Sequence, residues 1–146
     1  MAIIYGDEIS SFSNLLDLKE FFKDLDNYTI LKIPEHFPNY YDYSDIDILC
    51  ENKNTFAEII KRKLKKYEAE EFKFKTNEYE GHTHIDIYPP GAAKLNFRFD
   101  LLEEIKYKKI KVLPAYSSIV LSTSIKKYLN GFEICIPSEE HDLALR

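Results

Sequence analysis

Apolar positions along the chain follow two periods, and the change falls near Glu71. Before it, Leu15, Leu16, Leu18, Phe21, Phe22 and Leu25 recur at helical spacing, which predicts an amphipathic helix over residues 14–25 with Asn14 and Asp17 as capping side chains. Residues 28–33 read as a strand ended by Pro34, and residues 35–43, with Pro38 and three tyrosines, as a loop. Thr55-Phe56-Ala57-Glu58 matches a capping box that opens a second helix, whose apolar stripe is Phe56, Ile59, Ile60, Leu64 and Tyr67. Its other side carries Lys61, Arg62, Lys63, Lys65 and Lys66, which read as a solvated face whose cations suit the C-terminal end of the helix dipole, with phosphate binding as the alternative.

Beyond Glu71 the period is two. Phe72 and Phe74 alternate with Lys73 and Lys75; Ile85 and Ile87 with His84, Asp86 and Tyr88; Leu95, Phe97, Phe99 and Leu101 with Asn96, Arg98 and Asp100. These predict three antiparallel strands, turned at Gly81 and at Pro89-Pro90-Gly91. Residues 106–112 read as a short strand, 117–129 as a helix on Ile119, Val120, Ile125 and Leu129, and 132–136 as a last strand. Pro137-Ser138-Glu139-Glu140 opens a further helix, capped by Ser138, that reaches Arg146 before it can bury Leu143 and Leu145. Such a helix calls for either a partner surface or a longer chain. No repeat, low-complexity run or linker divides the sequence, so one domain over 1–146 is expected.

The most informative stretch is Tyr43-Ser44-Asp45-Ile46-Asp47-Ile48-Leu49-Cys50. As a strand it turns Asp45 and Asp47 to one face and Ile46, Ile48 and Cys50 to the other. Two carboxylates one strand repeat apart, roughly 6–7 Å, can bind divalent cations through oxygen if a neighbouring strand brings a third acid. Asp-x-Asp also occurs on solvated edge strands, so the third acid decides. Two candidates exist, in Ile85-Asp86-Ile87 and Phe99-Asp100-Leu101. A simple hairpin through Pro-Pro-Gly would set Asp86 opposite Asn96 and leave Asp100 on the order of 13 Å further along, so one centre would use one of them. Asp86 is favoured, because His84 and Tyr88 share its face, while Asp100 with Arg98 suits a structural or substrate-orienting pair. His36 lies in the preceding loop, as a ligand contact or as an inert surface residue.

Composition narrows the function. Eleven Tyr and ten Phe supply a core without any Trp, and the formal net charge of -5 argues against a nucleic-acid partner. Cys50 and Cys135 sit in apolar runs without metal-ligand spacing and read as reduced thiols. No leader-like segment or membrane span is evident, so a cytoplasmic protein without a membrane partner is expected.

The order helix, strand, loop, Ser44-Asp45-Ile46-Asp47-Ile48 strand, helix, followed by a later apolar-Asp-apolar strand, resembles the nucleotidyltransferase superfamily of the polymerase-β type over roughly residues 14–101. The resemblance implies an α+β fold, a mixed, largely antiparallel sheet flanked by helices. It also implies a magnesium- or manganese-dependent transfer of a nucleoside monophosphate from a nucleoside triphosphate to an acceptor hydroxyl, with pyrophosphate leaving. By the same resemblance Asp45 and Asp47 are metal ligands, Asp86 or Asp100 completes the site and assists deprotonation of the acceptor, and Ser44 lies near the phosphates. Members commonly carry a Gly-Ser pair about ten residues before the paired acids; the matching stretch here, residues 32–38, has no glycine. Lys32, His36 and Arg98 are the candidate phosphate contacts in its place. The acceptor expected is a small molecule, such as a sugar or polysaccharide precursor, or a protein. The alternative is a non-catalytic interaction protein on the same fold, such as an antitoxin, with the C-terminal helix at its partner.

Overall fold

The structure, a computed structural model, describes residues 3–5, 8–10, 12–13, 15–34, 36–91, 94–104, 106–107, 110–111, 114–129 and 131–138. Its centre is a five-stranded sheet of β1 (Tyr28–Ile30), β2 (Ser44–Cys50), β3 (Lys73–Tyr79), β4 (His82–Tyr88) and β5 (Phe97–Leu102). The strand order is β1-β2-β5-β4-β3, with β2 and β5 parallel and every other pair antiparallel. The helices are α1 (Leu18–Phe22), α2 (Lys53–Glu68) and α3 (Pro114–Ser122). A separate hairpin joins β6 (Ile125–Leu129) to β7 (Phe132–Ile136), and short ladders pair Ile3–Tyr5 with Glu8–Ser10, Phe12–Ser13 with Tyr40–Tyr41, and Lys106–Tyr107 with Ile110–Lys111. The expected α+β class with a mixed, mostly antiparallel sheet is observed.

Alternation divides the sheet into two chemically different faces. Ile46, Ile48, Ile85, Ile87, Phe97, Phe99 and Leu101 are all at most 1% exposed and share one core with Phe21 of α1 and Phe56, Ile60 and Leu64 of α2. The Phe21 ring lies 5.2 Å from Phe99 and 6.1 Å from Tyr67, so both helices lock onto the same side. The intervening residues of β2, β4 and β5 project from the opposite side. There α3 covers only one end, packing Val120 on Leu49, next along β2 after Asp47.

Helix boundaries follow their caps. The first helix is shorter than the periodicity of residues 14–25 predicts: Asp17 accepts from the Glu20 amide at 3.4 Å, and left-handed Asp24 (φ 61°) and Asn27 (φ 56°) follow an extended Lys23. The second begins ahead of Thr55, because Asn52 accepts the Thr55 amide at 3.0 Å and takes the capping position. The helix expected over 117–129 divides. Thr123 and Ser124 return their hydroxyls to the carbonyls of Ile119 and Val120 at 2.6 and 3.0 Å, ending α3, and Ile125–Leu129 pairs with Phe132–Ile136 across left-handed Gly131 (φ 89°). Asn130-Gly131 between two apolar runs is a hairpin signal that outweighs the helical spacing.

The hairpin returns to the core through Ile134, which is buried, and through the Cys135 amide, which donates to the Tyr28 hydroxyl at 3.2 Å. Burial holds that hydroxyl well above its usual pKa. The helix expected from Pro137 lies largely outside the described residues, as does the partner surface assigned to it. Among the described residues no helix is long and apolar enough to cross a membrane.

Phe99 is fully buried between Phe21 and Phe97, whose centroids both lie 5.2 Å away. Phe99→Ala is expected to lower unfolding free energy by about 3–5 kcal/mol in a urea titration; a loss under about 1 kcal/mol would contradict this packing.

Candidate functional site

The parallel register of β2 on β5 sets Ser44 beside Phe97, Asp45 beside Arg98 and Asp47 beside Asp100. Because paired residues of neighbouring strands project to the same face, Asp45, Asp47, Arg98 and Asp100 share the side opposite the core. The Asp47 and Asp100 carboxyls lie within hydrogen-bonding reach of each other. Asp47 is pushed up to about 7 by burial first, then by the negative charges of Asp100 and Asp45 and by the hydrogen bond to Asp100, while the Lys32 ammonium acts in the opposite direction. Lys32 is near because Leu31, just past β1, donates its amide to the Asp47 carbonyl at 3.1 Å.

On the other edge of β5, β4 brings His84 beside Asp100 and Asp86 beside Arg98. His82 Nδ1 and His84 Nε2 each lie 3.3 Å from the same oxygen, Asp100 Oδ1. Ligand atoms from His82, His84 and Asp100 all fall within 4.8 Å of one another. Tyr79 on β3 stacks on the His82 ring at 4.8 Å and 19° and meets His84 at 5.0 Å. Asp100 is therefore the hinge of the site, with a carboxylate on one side and two imidazoles on the other.

Asp86, favoured as the third ligand, has another partner. Arg98 donates Nε to Asp86 Oδ1 at 2.6 Å and Nη2 to Oδ2 at 3.1 Å, a two-pronged ion pair on a carboxylate only 3% exposed. The hairpin register differs from the simple one by two residues, with Arg98 rather than Asn96 opposite Asp86. Asn96 is held elsewhere: its amide donates to the Ile87 carbonyl at 2.9 Å, while its side chain accepts from Tyr40 and donates to Asp42, each at 2.7 Å. The shift brings Asp100 to within two residues of Asp86 across the ladder, while the parallel pairing of β2 with β5 sets it on the flank of Asp47.

Of the other expected site residues, Ser44 is partly buried at the head of β2, and Lys32 is exposed with its charge felt at Asp47. Arg98 is committed to Asp86 yet still senses Asp45. His36 is exposed at φ 67° in the turn before Tyr40 and is not among the side chains that converge at Asp100. His82 and Tyr79 did not stand out in the sequence, although His82-Thr83-His84 repeats the i, i+2 spacing of Asp45 and Asp47.

Clustered carboxylates beside imidazoles carry excess negative charge that a divalent cation would offset. Without one, Asp47 binds its proton more tightly in the folded chain, near pH 7, than in the unfolded chain, near pH 4. Its contribution is therefore fully present below about pH 4 and is lost as pH rises to about 7. In chelator, Asp47→Asn should melt with wild type near pH 4 and be more stable by about 1–3 kcal/mol at pH 8. Equal melting at both pH values would contradict the crowded-carboxylate description.

Comparison with protein-family models, with curated proteins and with solved structures returns no match.

Proposed function

We propose that the chain is a divalent-metal-dependent nucleotidyltransferase that moves a nucleoside monophosphate from a nucleoside triphosphate to an acceptor hydroxyl, with magnesium or manganese as the cation. The observation that carries this reading is the parallel pairing of β2 with β5, which sets Asp47 against Asp100 with Asp45 on the same face. Two acids on one strand and a third on its parallel neighbour offer the oxygen ligands that a hard cation takes, although among the described residues the three side chains whose ligand atoms already lie within 4.8 Å of one another are His82, His84 and Asp100. The upward shift of Asp47 marks charge that such a cation would compensate. Asp45, Asp47 and Asp100 are the residues that would hold it, with Asp100 in the place first favoured for Asp86.

Bound there, a divalent cation supplies charge stabilisation to the attacking and leaving oxygens of phosphoryl transfer. The chain's own groups do the rest. Lys32, exposed and with its charge felt at Asp47, offers an ammonium to the triphosphate where the superfamily that the sequence resembles uses a Gly-Ser pair. As the acceptor oxygen bonds to the α-phosphorus and the bond to pyrophosphate breaks, the hydroxyl proton has a receiving group in Asp100, which His82 and His84 flank. The Arg98–Asp86 pair, firmly held at 2.6 Å, keeps β4 and β5 in register beside the reacting groups. The net charge of -5 favours a small-molecule acceptor, such as a sugar or polysaccharide precursor, or a protein over a polynucleotide.

A second reading, a partner-binding protein of antitoxin type on the same scaffold, draws on β6, where Ile125 and Tyr128 are 47% and 70% exposed. Thermal-shift titration separates the two. With magnesium or manganese and each of the four common nucleoside triphosphates in turn, at about a hundred times the dissociation constant, one nucleotide should stabilise wild type by roughly 2.7 kcal/mol. Asp45→Asn/Asp47→Asn should abolish that shift. No metal-dependent shift with any nucleotide would overturn the transferase reading and leave the partner-binding one.

A further inference from the structure

We propose that His82, His84 and Asp100 form a second cation site, selective for zinc-class transition metals and distinct from the carboxylate site with which it shares Asp100. The distances carry the inference. Ligands about 2.0–2.1 Å from a tetrahedral zinc stand roughly 3.3–3.4 Å apart. The separations from Asp100 Oδ1 to His82 Nδ1 and to His84 Nε2 are both 3.3 Å, and the triad closes within 4.8 Å.

The three ligands are also preorganised. His82 and His84 are two residues apart on one face of β4, with β3 on one flank and β5 on the other, and His84 is the direct ladder partner of Asp100. Tyr79 fixes the His82 ring by stacking. Side-chain exposures of 28%, 15% and 17% for His82, His84 and Asp100 leave the cluster shielded yet reachable from solvent.

Donor chemistry sets the selectivity. Two imidazole nitrogens with one carboxylate oxygen suit zinc, cobalt, nickel or iron(II), whereas magnesium, calcium and manganese favour oxygen ligands. Three protein ligands leave a coordination position open to solvent or to a substrate oxygen, as in catalytic rather than structural zinc sites. His84 Nδ1 is buried without a hydrogen-bond partner among the described residues. A metal-bound ring normally donates from its other nitrogen, and loss of that support weakens binding about 10–100-fold, so the ion held here is an exchangeable one.

The inference stands whether or not the chain transfers nucleotides. The test is cobalt(II) titration of the full chain, followed by visible ligand-field absorption and then by displacement with zinc. Wild type should give a saturable absorption that zinc abolishes and that excess magnesium leaves in place. His82→Gln and His84→Gln should each weaken binding more than about 10-fold, while Asp45→Asn, which alters only the carboxylate site, should bind cobalt within about twofold of wild type. Nitrogen-15 spectra of the wild-type imidazoles, which need no variant, should show zinc moving His82 Nδ1 and His84 Nε2. Absence of cobalt absorption, unchanged affinity in both histidine variants, or zinc leaving both ring nitrogens unmoved would overturn the proposal.

Discussion

The parallel ladder between Ser44–Cys50 and Phe97–Leu102 is the constraint on which the rest of the molecule depends. It buries Ile46, Ile48, Phe97, Phe99 and Leu101 on one side and, because side chains alternate, turns Asp45, Asp47 and Asp100 to the other. A slip of one residue would drive carboxylates into the aromatic core and isoleucines into the polar face. The ladder that stabilises the fold is therefore the one that assembles the acids. Parallel neighbours need a crossover, and α2 provides it on the core side, which leaves the acidic face open.

That face combines a stabilising contact with an unfavourable one. Arg98 satisfies Asp86 with two hydrogen bonds, so the buried carboxylate on β4 is neutralised inside the fold. Among the described residues neither Asp47 nor Asp100 has a lysine or arginine at ion-pair distance; the charge of Asp100 raises Asp47, and Lys32 offsets this only from an exposed position. Crowding of this kind opposes folding, and groups perturbed in this way are concentrated at functional sites. Asp100 couples both halves, as it also receives two imidazoles at 3.3 Å.

Much of this was legible from residue pattern. The outward acids of residues 44–50, the apolar stripe of α2 and the three antiparallel strands all follow from local periodicity. The pairing of β2 with β5 does not, since α2 and two strands separate the partners and nothing local records their register. The third carboxylate turned on the same point: a tight hairpin would have put Asn96 opposite Asp86, but Asn96 is drawn into contacts with Tyr40 and Asp42, and Arg98 takes that position. Nothing local marks His82, because the His82-Thr83-His84 spacing on a polar face carries no signal until Asp100 is placed beside it. Residues 125–129 read as helix because Ile119, Val120, Ile125 and Leu129 mimic helical spacing, although Asn130-Gly131 marks the turn into the strand expected at 132–136.

Asp47 and Asp100 act on each other electrostatically, and Asp100 raises the Asp47 carboxyl. Carbon-13 detection of aspartate carboxyl groups across a pH titration in chelator tests it most directly. Asp47 should titrate near 7, and a saturating diamagnetic divalent cation should move that titration below the ordinary aspartate range, about 4. An Asp47 resonance that titrates with the ordinary aspartates near 4, unaltered by the cation, would contradict the account.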